Sequence, residues 1–242
     1  MSAAASLGVW AGSEDAVHVA LPANAGRLRT RHPLGEARGA PQGADDEAGI
    51  RSDLHAEEVV LHWCEEAVGE RPRAASAWRT DIRSALEQVA GCQPRGDVLA
   101  AFESAVARRL LPLEEARTML AAHGGWHREQ SVLLTDLAGS GAETHVALLL
   151  RRLGLVYLQQ VWVDGVGRVD FLVGGVLVVE VDGRAFHSSL AAFEEDRRRD
   201  GELLARGIPT LRVTAREVLA DPDAVGLRVL RVLERAGVRR AA

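Results

Sequence analysis

Residues 156 to 181 hold three short apolar runs, "VYLQQVWV" (156–163), "RVDFLV" (168–173) and "VLVVEV" (176–181), joined only by "DGVG" and "GG". Connections that tight force sequence neighbours to pair antiparallel, because a parallel return needs a crossover of a dozen residues or more. The segment reads as a meander. Before it, "SGAETHVALLLRRLG" has the period of an amphipathic helix that begins at Ser140 and stops at Gly154. After it come a helix from about Ser189 to Arg206, a fourth strand "IPTLRVT" (208–214), and a helical segment broken around Asp221-Pro222. The expected order is αβββαβα, an α/β domain with a mixed sheet over residues 138–242.

The first half is less regular. "AVHVALP" (16–22) and "EVVLHW" (58–63) are β-like, and the Gly, Ala, Pro and charge between them have no period, which predicts a mobile loop at about 33–53. Trp78, Ile82, Leu86 and Val89 mark one helix, and Val98, Phe102, Val106 and Leu110 a second. "LPLEEARTMLAAHGG" supplies a third. The expectation is a short β-rich region over 1–70 and a helical region over 71–137, an α+β and helical N-terminal portion that precedes the α/β domain.

Successive strand residues alternate faces, so Val176, Val178, Glu180 and Asp182 share one side, with Glu180 and Asp182 about 6–7 Å apart at Cα. Two carboxylates that close raise each other's pKa unless a cation intervenes. Asp170 joins them on one side only if the connection is centred on Gly175, since a two-residue turn at Gly174-Gly175 sets Asp170 opposite Val179. With that register, Asp170 and Glu180 form the partial shell of hard oxygens that suits Mg²⁺ or Mn²⁺. Otherwise Glu180 and Asp182 are solvated residues at a strand end, or pair with Arg184 and Arg168.

Composition narrows the chemistry. All 29 basic residues are arginine, so no lysine is present to act as a base. The formal charge is −5, with 16 arginines balancing 16 acids from Trp126 onward, which makes any DNA contact local. Cys64 and Cys92 are far apart, with no zinc-ligand spacing. No run reaches the 18 apolar residues of a membrane span, and the N-terminus has no basic leader pattern, so a cytoplasmic protein is expected.

The string "RVDF…VVEVDGRAFH…FEEDRRRDGELLARGIPTLRVT" resembles the PD-(D/E)xK nuclease superfamily, with its restriction-endonuclease-like fold. Within it the string is similar to the very-short-patch-repair-like endonuclease domains of bacterial proteins that often carry an abortive-infection-type antitoxin winged helix upstream. The resemblance covers about residues 138–237. Residues 1–125 resemble, more weakly, the segment that comes after the winged helix.

The resemblance implies a metal-dependent endonuclease acting on DNA, with Asp170 and Glu180 as metal ligands. Asp182 stands where the superfamily usually has lysine. Arginine cannot take a proton, so His187 is the candidate general base, and otherwise an exposed loop histidine. Glu143 matches a helix-borne acid of the family, but a capping box with Ser140 explains it equally. Asp196, Arg199, Asp200 and Arg212 match supporting positions and Arg184 is a further phosphate-side candidate, although i,i+4 pairing on a solvated helix accounts for "EEDRRRD" as well. The competing expectation is a non-catalytic DNA-binding or antitoxin-like module, with a protein partner reached through the N-terminal region.

Overall fold

The computed structural model describes residues 2–12, 17–22, 59–64, 80–182 and 190–237. The loop expected at 33–53, Arg184 and His187 lie outside the described residues. The chain forms two compact units, Met1–Gln93 and Pro94–Ala242.

In the first unit, helix α1 (Ser2–Ser6) precedes strands β1 (Val17–Pro22) and β2 (Val59–Cys64). The strands pair in parallel, Val17 opposite Val59. Helix α2 (Ile82–Cys92) starts at Asp81, whose carboxylate accepts from the Arg83 and Ser84 backbone amides at 2.9 and 3.1 Å. Its apolar stripe, Leu86 and Val89 with Ala85 and Ala90, is buried.

The second unit opens with α3 (Arg95–Ala107), α4 (Leu113–Ala122) and α5 (Gly125–Ser131). These three helices, expected in a region ending at 137, therefore belong to the same compact unit as the sheet. The chain continues through α6 (Gly141–Arg152), β3 (Tyr157–Val163), β4 (Gly167–Val173), β5 (Leu177–Asp182), α7 (Leu190–Ala205), β6 (Thr210–Thr214), α8 (Ala215–Ala220) and α9 (Pro222–Arg235). This is the αβββαβα order, with the last helical segment divided at Asp221-Pro222. Strand order is β3-β4-β5-β6, antiparallel except for the parallel β5–β6 pair that α7 connects. The sheet is mixed because two hairpins end in one helical crossover.

The connection between β4 and β5 sets the position of the acids. Gly174 and Gly175 have φ of 59° and 73°, and the Val176 amide donates to the Val173 carbonyl at 3.1 Å. That is a tight turn with both central residues left-handed, a conformation that glycine adopts without Cβ strain. Val173 nevertheless pairs with Leu177, not Val176, so three residues separate the strands and the hairpin is centred on Gly175.

Two cores flank the sheet. One joins Phe171, Val173, Leu177, Val179 and Val213 to Val146, Leu149 and Leu150 of α6, Val218 of α8 and Val225, Val229 and Leu233 of α9. The other joins Val169, Val178 and Val166 to Leu203 of α7. Residues two apart in a regular strand share a face. Val169 and Phe171 instead enter different cores, so β4 turns over at Asp170.

Candidate functional site

The ladder between β4 and β5 runs from Val173–Leu177 to Phe171–Val179 and stops. One step further, the same register sets Asp170 opposite Glu180, the pairing that a turn centred on Gly175 requires. The Val181 amide donates to Asp170 Oδ2 at 2.9 Å. A side chain has replaced a backbone carbonyl as the acceptor, and the strands part to admit it.

A matching gap lies on the other side of β4. The β3–β4 ladder pairs Gln159 with Phe171 and Val161 with Val169, skipping Gln160 and Asp170. Gln160 has a φ of 52° in mid-strand, a left-handed conformation that is uncommon outside glycine. Its amide nitrogen donates to Asp170 Oδ1 at 3.0 Å and to Glu143 Oε2 at 2.9 Å.

Glu143 comes from the first turn of α6 and is 7% exposed. Its backbone amide donates to the Ser140 hydroxyl at 3.3 Å, the N-cap bond that the sequence predicts. The return bond differs: the Glu143 carboxylate takes the Gly139 amide at 2.9 Å and the Ser140 hydroxyl at 3.0 Å. Capping and the link through Gln160 to Asp170 are thus one arrangement. Burial, reinforced by the Asp170 charge, pushes the Glu143 carboxyl above its ordinary range.

Glu180 is 17% exposed and shows the effect of this crowding most clearly. Burial first, then the Asp170 charge, push its carboxyl up to about 7, against the opposing pull of Arg199. Arg199 donates to Glu180 Oε1 at 3.3 Å and to the Arg168 carbonyl at 2.7 Å. One guanidinium therefore ties α7 to both strands.

A second group surrounds Arg212 of β6. It lies 3.0 Å from Asp200, 3.7 Å from Asp196 and 4.0 Å from Asp182. Arg199 adds a contact to Asp196 at 3.8 Å. Burial raises the Asp182 carboxyl, an effect that Arg212 opposes. The acids expected to face the sheet from α7 do face it, as partners of arginine.

The structure thus joins Glu143 to Asp170 through Gln160 and sets Glu180 opposite Asp170, with Asp182, Asp196 and Asp200 gathered on Arg212. Gln160 carried no signal on its own, being one of two glutamines in an apolar strand. It lies ten residues before Asp170 across a hairpin centred on Gly165, the same offset that links Asp170 to Glu180. Applying the register rule to both hairpins would have found it.

Among the described residues, no group of three or more His, Cys, Asp or Glu side chains converges as a metal cage. Mg²⁺ does not need one, since it is usually held by one or two carboxylates with water and substrate phosphate completing the shell. Asp170 and Glu180 fit that donor set. The charge that each imposes on the other is what a divalent ion relieves.

No protein-family model matches the chain. No curated protein matches it either. Among solved structures, the chain is similar to one described as "Homing Endonuclease I-Bth0305I Catalytic Domain", at 28% identity over 39% of this chain and 94% of that one, with a TM-score of 0.34. No helix among the described residues is long and apolar enough to cross a membrane.

Proposed function

We propose that the chain is a metal-dependent endonuclease that hydrolyses DNA phosphodiester bonds, with Mg²⁺ or Mn²⁺ held by Asp170 and Glu180. One observation carries the reading: two acids from neighbouring strands meet where the ladder opens, and their mutual charge helps to hold Glu180 near pH 7. A bound divalent ion supplies Lewis-acid polarisation of the phosphoryl oxygen and a hydroxide source near neutral pH.

The chain's own groups take the remaining roles. Asp170 is held in place by the Val181 amide and Gln160, which leaves it little freedom to rotate away from the open ladder. Glu143 adds a third acid beside it. Arg199 and Arg212 neutralise the acids in the free protein, and their planar forks suit phosphate as well as carboxylate. Asp182, Asp196 and Asp200 hold Arg212 in turn. His187, with Arg184 near it in sequence, is the proposed base, because no lysine exists to serve.

The test is cleavage of plasmid and linear DNA with Mg²⁺ or Mn²⁺, comparing the wild type with Asp170→Asn. The expected result is cleavage that EDTA abolishes and that the variant lacks, by at least about 100-fold, while its circular dichroism and melting stay native. Undiminished cutting by Asp170→Asn refutes the assignment.

The competing reading, a non-catalytic DNA-binding or regulatory module, draws support from the arginines. Arg199 and Arg212 already compensate the acids, and a site so neutralised is stable without an ion. A flat Mn²⁺ titration in a calorimeter, with DNA or protein binding retained, favours that alternative.

A further inference from the structure

We propose that Gln160 is a positioning residue of this site, a conformationally strained glutamine whose single amide nitrogen fixes the helix-borne Glu143 relative to the strand-borne Asp170. The inference rests on the nuclease reading for its catalytic consequence, but its structural part stands on geometry alone.

Four observations meet at this residue. Its φ of 52° departs from the extended values of a strand, with an energetic cost that something nearby must offset. The β3–β4 ladder omits it together with Asp170 while keeping register on both sides, so the distortion is confined to this pair. Its Nε2 donates to Glu143 at 2.9 Å and to Asp170 at 3.0 Å, using both amide hydrogens on two carboxylates. Its Oε1 is buried and has no hydrogen-bond partner among the described residues.

A residue chosen for strand stability alone would not combine these properties. Glycine would relieve the backbone, and a β-branched residue would restore the ladder. Glutamine supplies what neither offers, a neutral double donor long enough to reach an acid on another element. It also adds no positive charge. A lysine or arginine here would neutralise the pair and compete with a divalent ion, whereas an amide bridges the acids and leaves their full charge available. In this arrangement the strain at Gln160 is offset by the two bonds, and α6 is tied to β3 and β4 at the point where the acids must stay in register.

The substitutions Gln160→Gly, Gln160→Asn and Glu143→Ala, with the double variant Gln160→Gly/Glu143→Ala, separate positioning from mere folding. Gln160→Gly removes the bridge and the backbone strain together. In EDTA it is expected to melt within a few degrees of wild type, and the double variant is expected to be non-additive because both changes break one contact. Mn²⁺ affinity by calorimetry is expected to fall by about tenfold or more in Gln160→Gly. DNA cleavage is expected to lose a comparable factor in kcat with KM unchanged. Gln160→Asn keeps the donor on a shorter arm that tolerates positive φ, and is expected to recover part of both losses.

Strict additivity of the melting shifts overturns the bridge whether or not the protein binds metal. Wild-type Mn²⁺ affinity and kcat in Gln160→Gly overturn the positioning role while leaving the nuclease reading in place. A wild type that neither binds Mn²⁺ nor cuts DNA defeats the nuclease reading and the positioning role with it, and the additivity test then decides the bridge alone.

Discussion

Glu180 is where local chemistry constrains behaviour most tightly. Its carboxyl ordinarily titrates at 4.5 and is raised to about 7 in the folded chain, by burial first and by Asp170 second. The unfolded chain gives up this proton near pH 4.5 while the folded chain keeps it until about 7. The contribution to stability is therefore complete below pH 4.5 and is lost as pH rises through 7. Discounted for partial solvent screening, the loss is about 1–2 kcal/mol. Glu180→Gln stays neutral and is predicted to exceed wild type by that amount at pH 8 in EDTA, with the gap closing toward pH 4.5. Urea titrations at the two pH values check it, and a gap independent of pH would contradict it. A divalent ion needs the ionised form, so Mn²⁺ affinity is expected to rise by about tenfold per pH unit up to 7 and to flatten above. The alternation that put Glu180 and Asp182 on one face was legible in the sequence. The left-handed Gln160 was not, because no propensity marks a glutamine for positive φ and its cause is tertiary.

Among the elements, the two hairpins and the crossover helix explain why acids distant in sequence meet. Gly-containing connections announced the meander, and the register came from an extra residue after a glycine turn rather than from the strands themselves. Sequence left that register open, since both turn lengths satisfy the same glycines, and the pairing of Asp170 with Glu180 hung on it. The helical stripe of α7 correctly directed Asp196 and Asp200 to the sheet, yet their partner, Arg212, comes from the next strand and becomes visible only once β6 lies parallel to β5. The parallel β1–β2 pair and the short α5 lacked a comparable local signal. Arg212 also yields a prediction about how α7 is held. Arg212→Gln leaves Asp182, Asp196 and Asp200 without their shared cation and is expected to cost about 1 kcal/mol. Adding Asp200→Asn removes one of the repelling charges, so the double variant should recover part of that loss in a thermal melt. Equal or additive losses would show that the arginine acts through its packing instead.

For the molecule as a whole, charge and compactness divide at the same place. Of 29 arginines and 34 acids, 20 of each lie from Pro94 onward, so the second unit is formally neutral and the first carries the entire −5. The second unit also contains both sheet cores and all the described site residues. DNA attraction depends on local arginines against whatever net charge the chain presents, and that background acts over roughly a Debye length, about 10 Å at 0.1 M salt. The segment 94–242 expressed alone is therefore predicted to fold, and with Asp170→Asn to prevent cutting it should bind duplex DNA more tightly than the full chain carrying the same change. Loss of five negative charges is an electrostatic gain, so the difference should be severalfold at about 50 mM salt and should shrink toward nothing at about 300 mM. Fluorescence anisotropy across that salt series reads it directly. A constant ratio at all salt concentrations would mean that the first unit touches DNA or blocks it by shape, and a segment that fails to melt cooperatively would mean that the second unit depends on the first for its fold.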